Sequence, residues 1–299
     1  MLVSKPALST DERVAVSLKS LIDLAKQAGH LNLHHRQNRS AQSGGFVSRF
    51  KGRGMEFDEA RLYQPGDDIR SIDWRVTART GTTHTKVFRE ERERPVFISV
   101  DQRLTMQFAT RGVFKSVLAC QLAALLAWVA KYHGDRIGGQ VFAEQQCREL
   151  KPQNGRHAVL RLFNTLLKPE AIASQTFKLD HVLARLNQHA RPGSLVYIIS
   201  DFRGMNEQAK THLAKLALHC EVVLLFIYDP LEKSLPNHGR YRFADEERDV
   251  SLDTGDTQVL SAYQQRFAER LQALEIFAKK RGLTLLQCST TDAPLACLR

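Results

Sequence analysis

The sequence lacks most of the marks by which catalytic and metal chemistry are read from a chain. Its five cysteines, Cys120, Cys147, Cys220, Cys288 and Cys297, form an odd set with no CxxC spacing and no histidine at zinc-finger intervals. That spacing gives no zinc finger, and because most of the cysteines fall in apolar runs they read as reduced, buried thiols in a cytoplasmic protein. There is no GxSxG and no HExxH, and the eleven histidines are scattered, with His34-His35 the only adjacent pair. No catalytic residue is assigned, and the chain is not read as an enzyme.

Long apolar runs are missing as well. The longest uncharged stretch, Ser116 to Ala130, has 15 residues between Lys115 and Lys131. That falls short of the roughly 18 to 20 needed to cross a bilayer, so it reads as a core helix and no membrane span is expected. The first thirty residues carry charges throughout, and no signal peptide is visible.

Acidic residues are absent from Ala25 to Met55, where Lys26, Arg36, Arg39, Arg49, Lys51 and Arg53 are basic and Gly44-Gly45 interrupts any regular pattern. The stretch reads as a basic loop. Arg36, Arg39, Arg49, Lys51 and Arg53 are its candidate partner-binding residues, against the alternative of a solvated connector. Aromatic residues are thin there, only Phe46 and Phe50, which argues against a stacking platform for single strands. Gly52 and Gly54 do not build a phosphate cradle, because neither a preceding strand nor a Walker-type lysine accompanies them.

What is present is an ordinary globular composition, 43% hydrophobic and 25% charged over 299 residues, with a net charge of +11 and a pI near 9.6. The charge favours an acidic partner or serves solubility alone. The organising stretch is Pro95 to Phe108, PVFISVDQRLTMQF. Val96 to Val100 is apolar on both faces apart from Ser99, as a central parallel strand reads when helices cover both sides, and it delivers Asp101 to its carboxyl end. Leu195 to Ser200 ends on Asp201, and Val222 to Tyr228 ends on Asp229. Ligands of open α/β sheets bind at that edge.

In chain order, Ser9 to Glu12 offers cap chemistry for an amphipathic helix reaching Gly29, with Val14, Leu18, Leu21, Ile22 and Ala25 on one face. In Gly54 to Thr80, Pro65-Gly66 sets a turn, Asp67 and Asp68 are placed to cap the helical turn that follows, and Ile69, Ile72 and Val76 share a face. Arg61, Arg70, Arg75 and Arg79 alternate with Glu59, Asp67, Asp68 and Asp73, a pattern suited to an ion-pair network. Thr82 to Arg94 reads as a charged extended strand. Helices are expected at 111–133, 155–167, 179–189, 206–219 and 263–281, strands at 136–143 and 283–288, and a hairpin around Asp245 to Glu247. The alternation argues an α/β fold with a doubly wound, mostly parallel sheet.

YQPGDDIRSIDW, then a strand ending in Asp, a loop with Met, a long helix and GDRIGG, closely resembles the bacterial family catalogued as domain of unknown function fifty-eight. The match runs from about Gly52 to the C-terminus. The resemblance implies a von Willebrand factor A-like domain, here over 94–299. Segments 45–93 and 236–253, too charged and too short to hold cores alone, are expected to pack together as a small β-rich appendage, after an N-terminal helix and basic loop over 1–44. In the motif, Tyr63, Pro65, Gly66, Asp67, Asp68, Arg70, Asp73 and Trp74 are taken as structural. The resemblance also implies a partner, a MoxR-type AAA+ ATPase, and a role as an interaction module in assembly or maturation of a protein complex; a basic nucleic-acid-binding protein is the alternative.

Such a domain holds a divalent cation on DxSxS, a distant Thr and a distant Asp. Here Asp101, Arg103 and Thr105 occupy the pattern, with Asp201 as the distant Asp. Arg103 stands where the first serine should be, and a guanidinium is a permanent cation with no acceptor. The expectation is a degenerate site with no metal, Arg103 donating to both Asp101 and Asp201. Mg²⁺ on Asp101, Thr105 and Asp201 is the alternative.

Overall fold

The β-branched run at 95–101 forms the strand its sequence implies, and the rest of the sheet is assembled on it. The structure, a computed structural model, describes residues 10–29, 31, 55–90, 94–168, 177–236, 239–244 and 249–298. Two compact units are found, one of residues 1–34 with 94–299 and one of residues 35–93.

The larger unit begins with three short helices, α1 (Thr10–Val14), α2 (Leu18–Asp23) and α3 (Ala25–Ala28). The expected single helix is broken because Ser17 is extended and caps α2 reciprocally with Ser20. Only Leu21 and Ala28 of these helices are buried, and Val14 and Leu18 are exposed. Within the smaller unit, β1 (Met55–Leu62) pairs antiparallel with β2 (His84–Glu90), and α4 (Trp74–Thr80) lies between them in sequence.

The larger unit resumes with β3 (Pro95–Asp101), α5 (Lys115–Tyr132), β4 (Arg136–Phe142), β5 (Cys147–Gln153), α6 (Gly155–Leu166) and α7 (Leu179–His189). Then come β6 (Leu195–Ser200), α8 (Glu207–Ala217), β7 (Glu221–Tyr228), α9 (Pro230–Lys233), β8 (Arg240–Ala244), β9 (Asp249–Asp253), α10 (Thr257–Arg281) and β10 (Thr284–Ser289). Six strands form one sheet in the order β10-β7-β6-β3-β4-β5, parallel except for β5. The fold is a doubly wound, mostly parallel α/β sheet. Strand β5 has no counterpart in the sequence reading: CRELKPQ alternates charged and apolar residues on an edge that is half covered.

Alternate residues of each strand feed two separate cores. Val96, Ile98 and Val100 join α5 and α6 on one face, while Phe97, Val196, Ile198 and Phe226 join α7, α8 and α10 on the other. Helix α5 is apolar nearly all round, with Leu118, Leu122 and Leu125 fully buried. Each such leucine contributes about 1.5–3 kcal/mol by leaving water. Trp128 pins α2 to α5, its indole Nε1–H donating to the Leu21 carbonyl at 3.1 Å. In GDRIGG the last glycine has a backbone reason: Gly139 has φ of +146°, and a Cβ there would lie 2.0 Å from the Ile98 carbonyl oxygen of β3.

The hairpin β8–β9 falls in the larger unit, its tip at 245–248 outside the described residues. Among the described residues no helix is long and apolar enough to cross a membrane.

Candidate functional site

Because β3, β6 and β7 are adjacent and parallel, Asp101, Asp201 and Asp229 are delivered to one edge, and all three are fully buried. An ionised carboxylate taken from water is costly unless every lone pair finds a donor. The chain meets that requirement for each aspartate differently.

Asp101 is gripped by the residue two places on. The Arg103 backbone N–H and its Nε both donate to Asp101 Oδ1 at 3.0 Å, and Nη2 donates to Oδ2 at 2.7 Å. Ser200 Oγ donates to Oδ2 at 2.6 Å and itself accepts the Phe202 N–H at 2.8 Å. The guanidinium also sits 5.7 Å from the centre of the Phe142 ring, a cation–π contact that adds to its hold.

Asp201 has its own cation. Lys115, the first residue of α5 and 1% exposed, donates from Nζ to Asp201 Oδ2 at 3.0 Å and to Glu232 Oε1 at 3.1 Å. Arg203 closes the cluster, its backbone N–H on Asp201 Oδ1 at 3.0 Å and its Nη2 on Glu232 Oε1 at 2.7 Å. Arg103 comes no nearer to Asp201 than 3.8 Å, so it belongs to Asp101 and does not donate to both carboxylates as the sequence led us to expect. The reason is Lys115, which holds Asp201 already. Between them Phe202 has φ of +51°, a rare backbone state for a bulky residue, in the turn that carries both Asp201 and Arg203.

Asp229 is held by neutral donors. It accepts from the Thr110 N–H (2.9 Å) and hydroxyl (2.6 Å), from Thr290 Oγ1 (2.7 Å) and from the Leu231 N–H (2.9 Å), while its own N–H donates to Glu232 Oε2 at 3.1 Å.

These surroundings set the charge states. Burial pushes the Asp101 carboxyl up from its ordinary value, with the Arg103 bonds pulling the other way. Burial also works against ionised Asp201, but the Lys115 charge and the Arg203 N–H hold it below the ordinary range. The core of the cluster is balanced, with Asp101, Asp201 and Glu232 facing Arg103, Lys115 and Arg203.

A hard divalent cation needs about six oxygen ligands with free lone pairs. Both oxygens of Asp101 are taken by Arg103 and Ser200, and those of Asp201 by Lys115 and Arg203. Thr105 lies exposed in the turn after Arg103. The residues present do not fit a metal-ion-dependent adhesion site. The turn does present Leu104, 70% exposed, with its N–H fixed on the Glu144 carboxylate at 2.8 Å.

Lys115, Arg203, Glu232, Ser200 and Leu104 were not singled out by sequence. Lys115 gave one usable signal, a lone charge at the front of the longest uncharged run. Glu232 gave another, as the fourth residue of a D-P-L-E capping box that binds it back to Asp229.

In the smaller unit, the expected ion-pair network reduces among the described residues to one pair, Arg61 Nη2 on Asp67 Oδ1 at 2.7 Å. The other acids serve the backbone. Asp68 caps a 3₁₀ turn at Ile69–Ser71, and Asp73 caps α4 through the Arg75 and Val76 N–H groups. Asp67 accepts the Gln64 N–H and is no cap; that bond and Arg61 hold its carboxyl below the ordinary value. Tyr63 bonds the Asp67 carbonyl, and Gly66, after Pro65, takes the positive φ of the turn. Arg36, Arg39, Arg49, Lys51 and Arg53 lie outside the described residues.

Comparison with known proteins places this arrangement. The family described as "Protein of unknown function DUF58" matches residues 59–273, a span that holds both the YQPGDDIRSIDW motif and the carboxyl edge. The chain belongs to the DUF58 family. Uncharacterized proteins of Mycobacterium bovis and Mycobacterium tuberculosis are 31% identical to this DUF58 chain over 250 residues, 81% of it and 75% of theirs. Two solved structures are similar at lower identity. The conserved hypothetical protein BatB from Bacteroides thetaiotaomicron has a TM-score of 0.44 at 15% identity, covering 68% of this chain and 93% of that one. An aerotolerance-related membrane protein from Bacteroides fragilis has a TM-score of 0.46 at 16% identity, covering 69% and 94%.

Proposed function

We propose that the larger unit is a von Willebrand A-like, non-enzymatic interaction module that docks through its carboxyl edge on a MoxR-type AAA+ ATPase and serves assembly or maturation of a protein complex. One observation carries the reading: the edge where α/β sheets recruit ligands holds an internally neutralised cluster with Arg103 where a cation would bind. Its carboxylates are occupied by cations and hydroxyls, so none is free to act as a base. Leu104 stands out beside it as an apolar contact for a partner.

The test is binding between the purified chain and a MoxR-type ATPase from the same organism, with and without nucleotide, by interferometry. Saturable binding that Leu104→Asp weakens by about tenfold or more is expected. Sub-micromolar binding of single-stranded nucleic acid in physiological salt, with no response to the ATPase, would reject the reading in favour of a basic nucleic-acid binder.

A further inference from the structure

A second surface stands out in the smaller unit. Of nine large hydrophobic side chains exposed among the described residues, three fall within thirteen residues of one another: Leu62 at 59%, Ile69 at 66% and Trp74 at 67%. Single exposed hydrophobics are ordinary, but tryptophan is highly buried on average, and one two-thirds exposed is not ordinary.

The local fold explains why these side chains face out. Asp73 donates its N–H to the His84 carbonyl at 2.8 Å and Thr77 Oγ1 accepts the His84 N–H at 3.0 Å, so α4 is tied to the start of β2 by its Asp73 and Thr77 side. Ser71 and Thr85 hydroxyls meet at 2.7 Å and fix the preceding turn on the same strand. What remains outward on α4 is Trp74 with Ala78, four residues on, and Arg75 with Arg79 beside them, all exposed. Ile69 and Arg70 project from the turn before it, also exposed.

The charge of this face is mainly positive. From Ile69 to Thr80 the ionisable residues are Arg70, Arg75, Arg79 and Asp73. Asp73 is 8% exposed and spent on capping α4, and Asp68 just before is spent on the 3₁₀ turn. None of the three arginines has a carboxylate within ion-pair distance among the described residues. Tryptophan and arginine are the residues that dominate protein interfaces, the one by area and the other by planar recognition of carboxylates.

We propose that Trp74, Ile69, Arg70, Arg75 and Arg79 form a docking surface for an acidic, amphipathic helical segment of a partner protein, with Trp74 and Ile69 taking its apolar face and the arginines its carboxylates. The surface lies within the smaller unit.

The test is fluorescence anisotropy of a labelled synthetic helix with leucine at heptad-spaced positions and glutamate elsewhere, titrated with the full chain. Trp74→Ala and the pair Arg75→Glu with Arg79→Glu are each expected to weaken binding by about tenfold or more. The charge-reversed pair is expected to gain affinity for the same helix with lysine in place of glutamate, a gain that unfolding could not produce. Three results overturn the proposal. One is equal binding of the glutamate helix by the charge-reversed pair. A second is tighter binding of a labelled single-stranded oligonucleotide than of the helix. The third is protection of Trp74 from acrylamide in the free chain, with Trp128, 5% exposed, as the buried reference.

Discussion

Lys115 is buried between two carboxylates at the carboxyl edge and donates to both. Lys115→Met is expected to destabilise the fold by about 3–5 kcal/mol, because both acids are left buried and short of a cation. Urea unfolding of the two proteins at neutral pH checks it. Arg103 poses a different question, because its removal frees lone pairs. Arg103→Ser restores the adhesion-type pattern and is expected to take up Mg²⁺ in a calorimetric titration where the unchanged chain gives no heat. Strong binding by the unchanged chain would show that Arg103 swings away. Asp229 has a pH signature: burial opposes its charge, but the Thr110 and Thr290 hydroxyls and the N–H groups of Thr110 and Leu231 prevail and hold its carboxyl below the ordinary 3.8. A lowered folded value means that the unfolded chain binds the proton more readily. The stabilisation is therefore complete above about pH 5 and is lost as pH falls through and below 3.8. Asp229→Asn is expected to flatten the stability profile between pH 5 and about 2, measured by denaturant midpoints.

Among elements, β4 is held against β3 so closely that one atom decides its fit. Gly139→Ala would push a methyl into the Ile98 carbonyl and force a side chain into positive φ, and a loss of about 3 kcal/mol is expected in the same assay. Trp128→Phe keeps the ring but orphans the Leu21 carbonyl. It is expected to cost about 1 kcal/mol and to speed amide exchange in α2 without touching the sheet. Elements of this kind differ in how far they can be read in advance. The central strands and helices were legible because apolar periodicity and helix stops are local signals, as in α7, expected and found over Leu179–His189 ahead of Arg191-Pro192-Gly193. Strand β5 was not, since the adjacent charges Arg148 and Glu149 break its alternation and its role is set by β4 beside it. Nor was the break at Ser17, where a local capping box overrides a continuous apolar stripe. At the site, Asp101, Arg103 and Asp201 were legible as strand ends and a motif position. The Lys115–Glu232 pairing was not, for each residue leaves a local signal but nothing in a local pattern joins two positions 117 residues apart.

At the scale of the whole molecule, an excess of 43 basic over 32 acidic residues is spread over two compact units. The placement of Arg103 bears on the molecule as a partner. A bound metal ion can be stripped by a chelator, diluted out or exchanged for another, and a face that depends on it follows the supply of free cation. Here the positive charge is tethered to the chain two residues from the acid it neutralises, and it is delivered with each copy at fixed stoichiometry. Recognition at this edge is therefore expected to be indifferent to EDTA and to swings in free Mg²⁺.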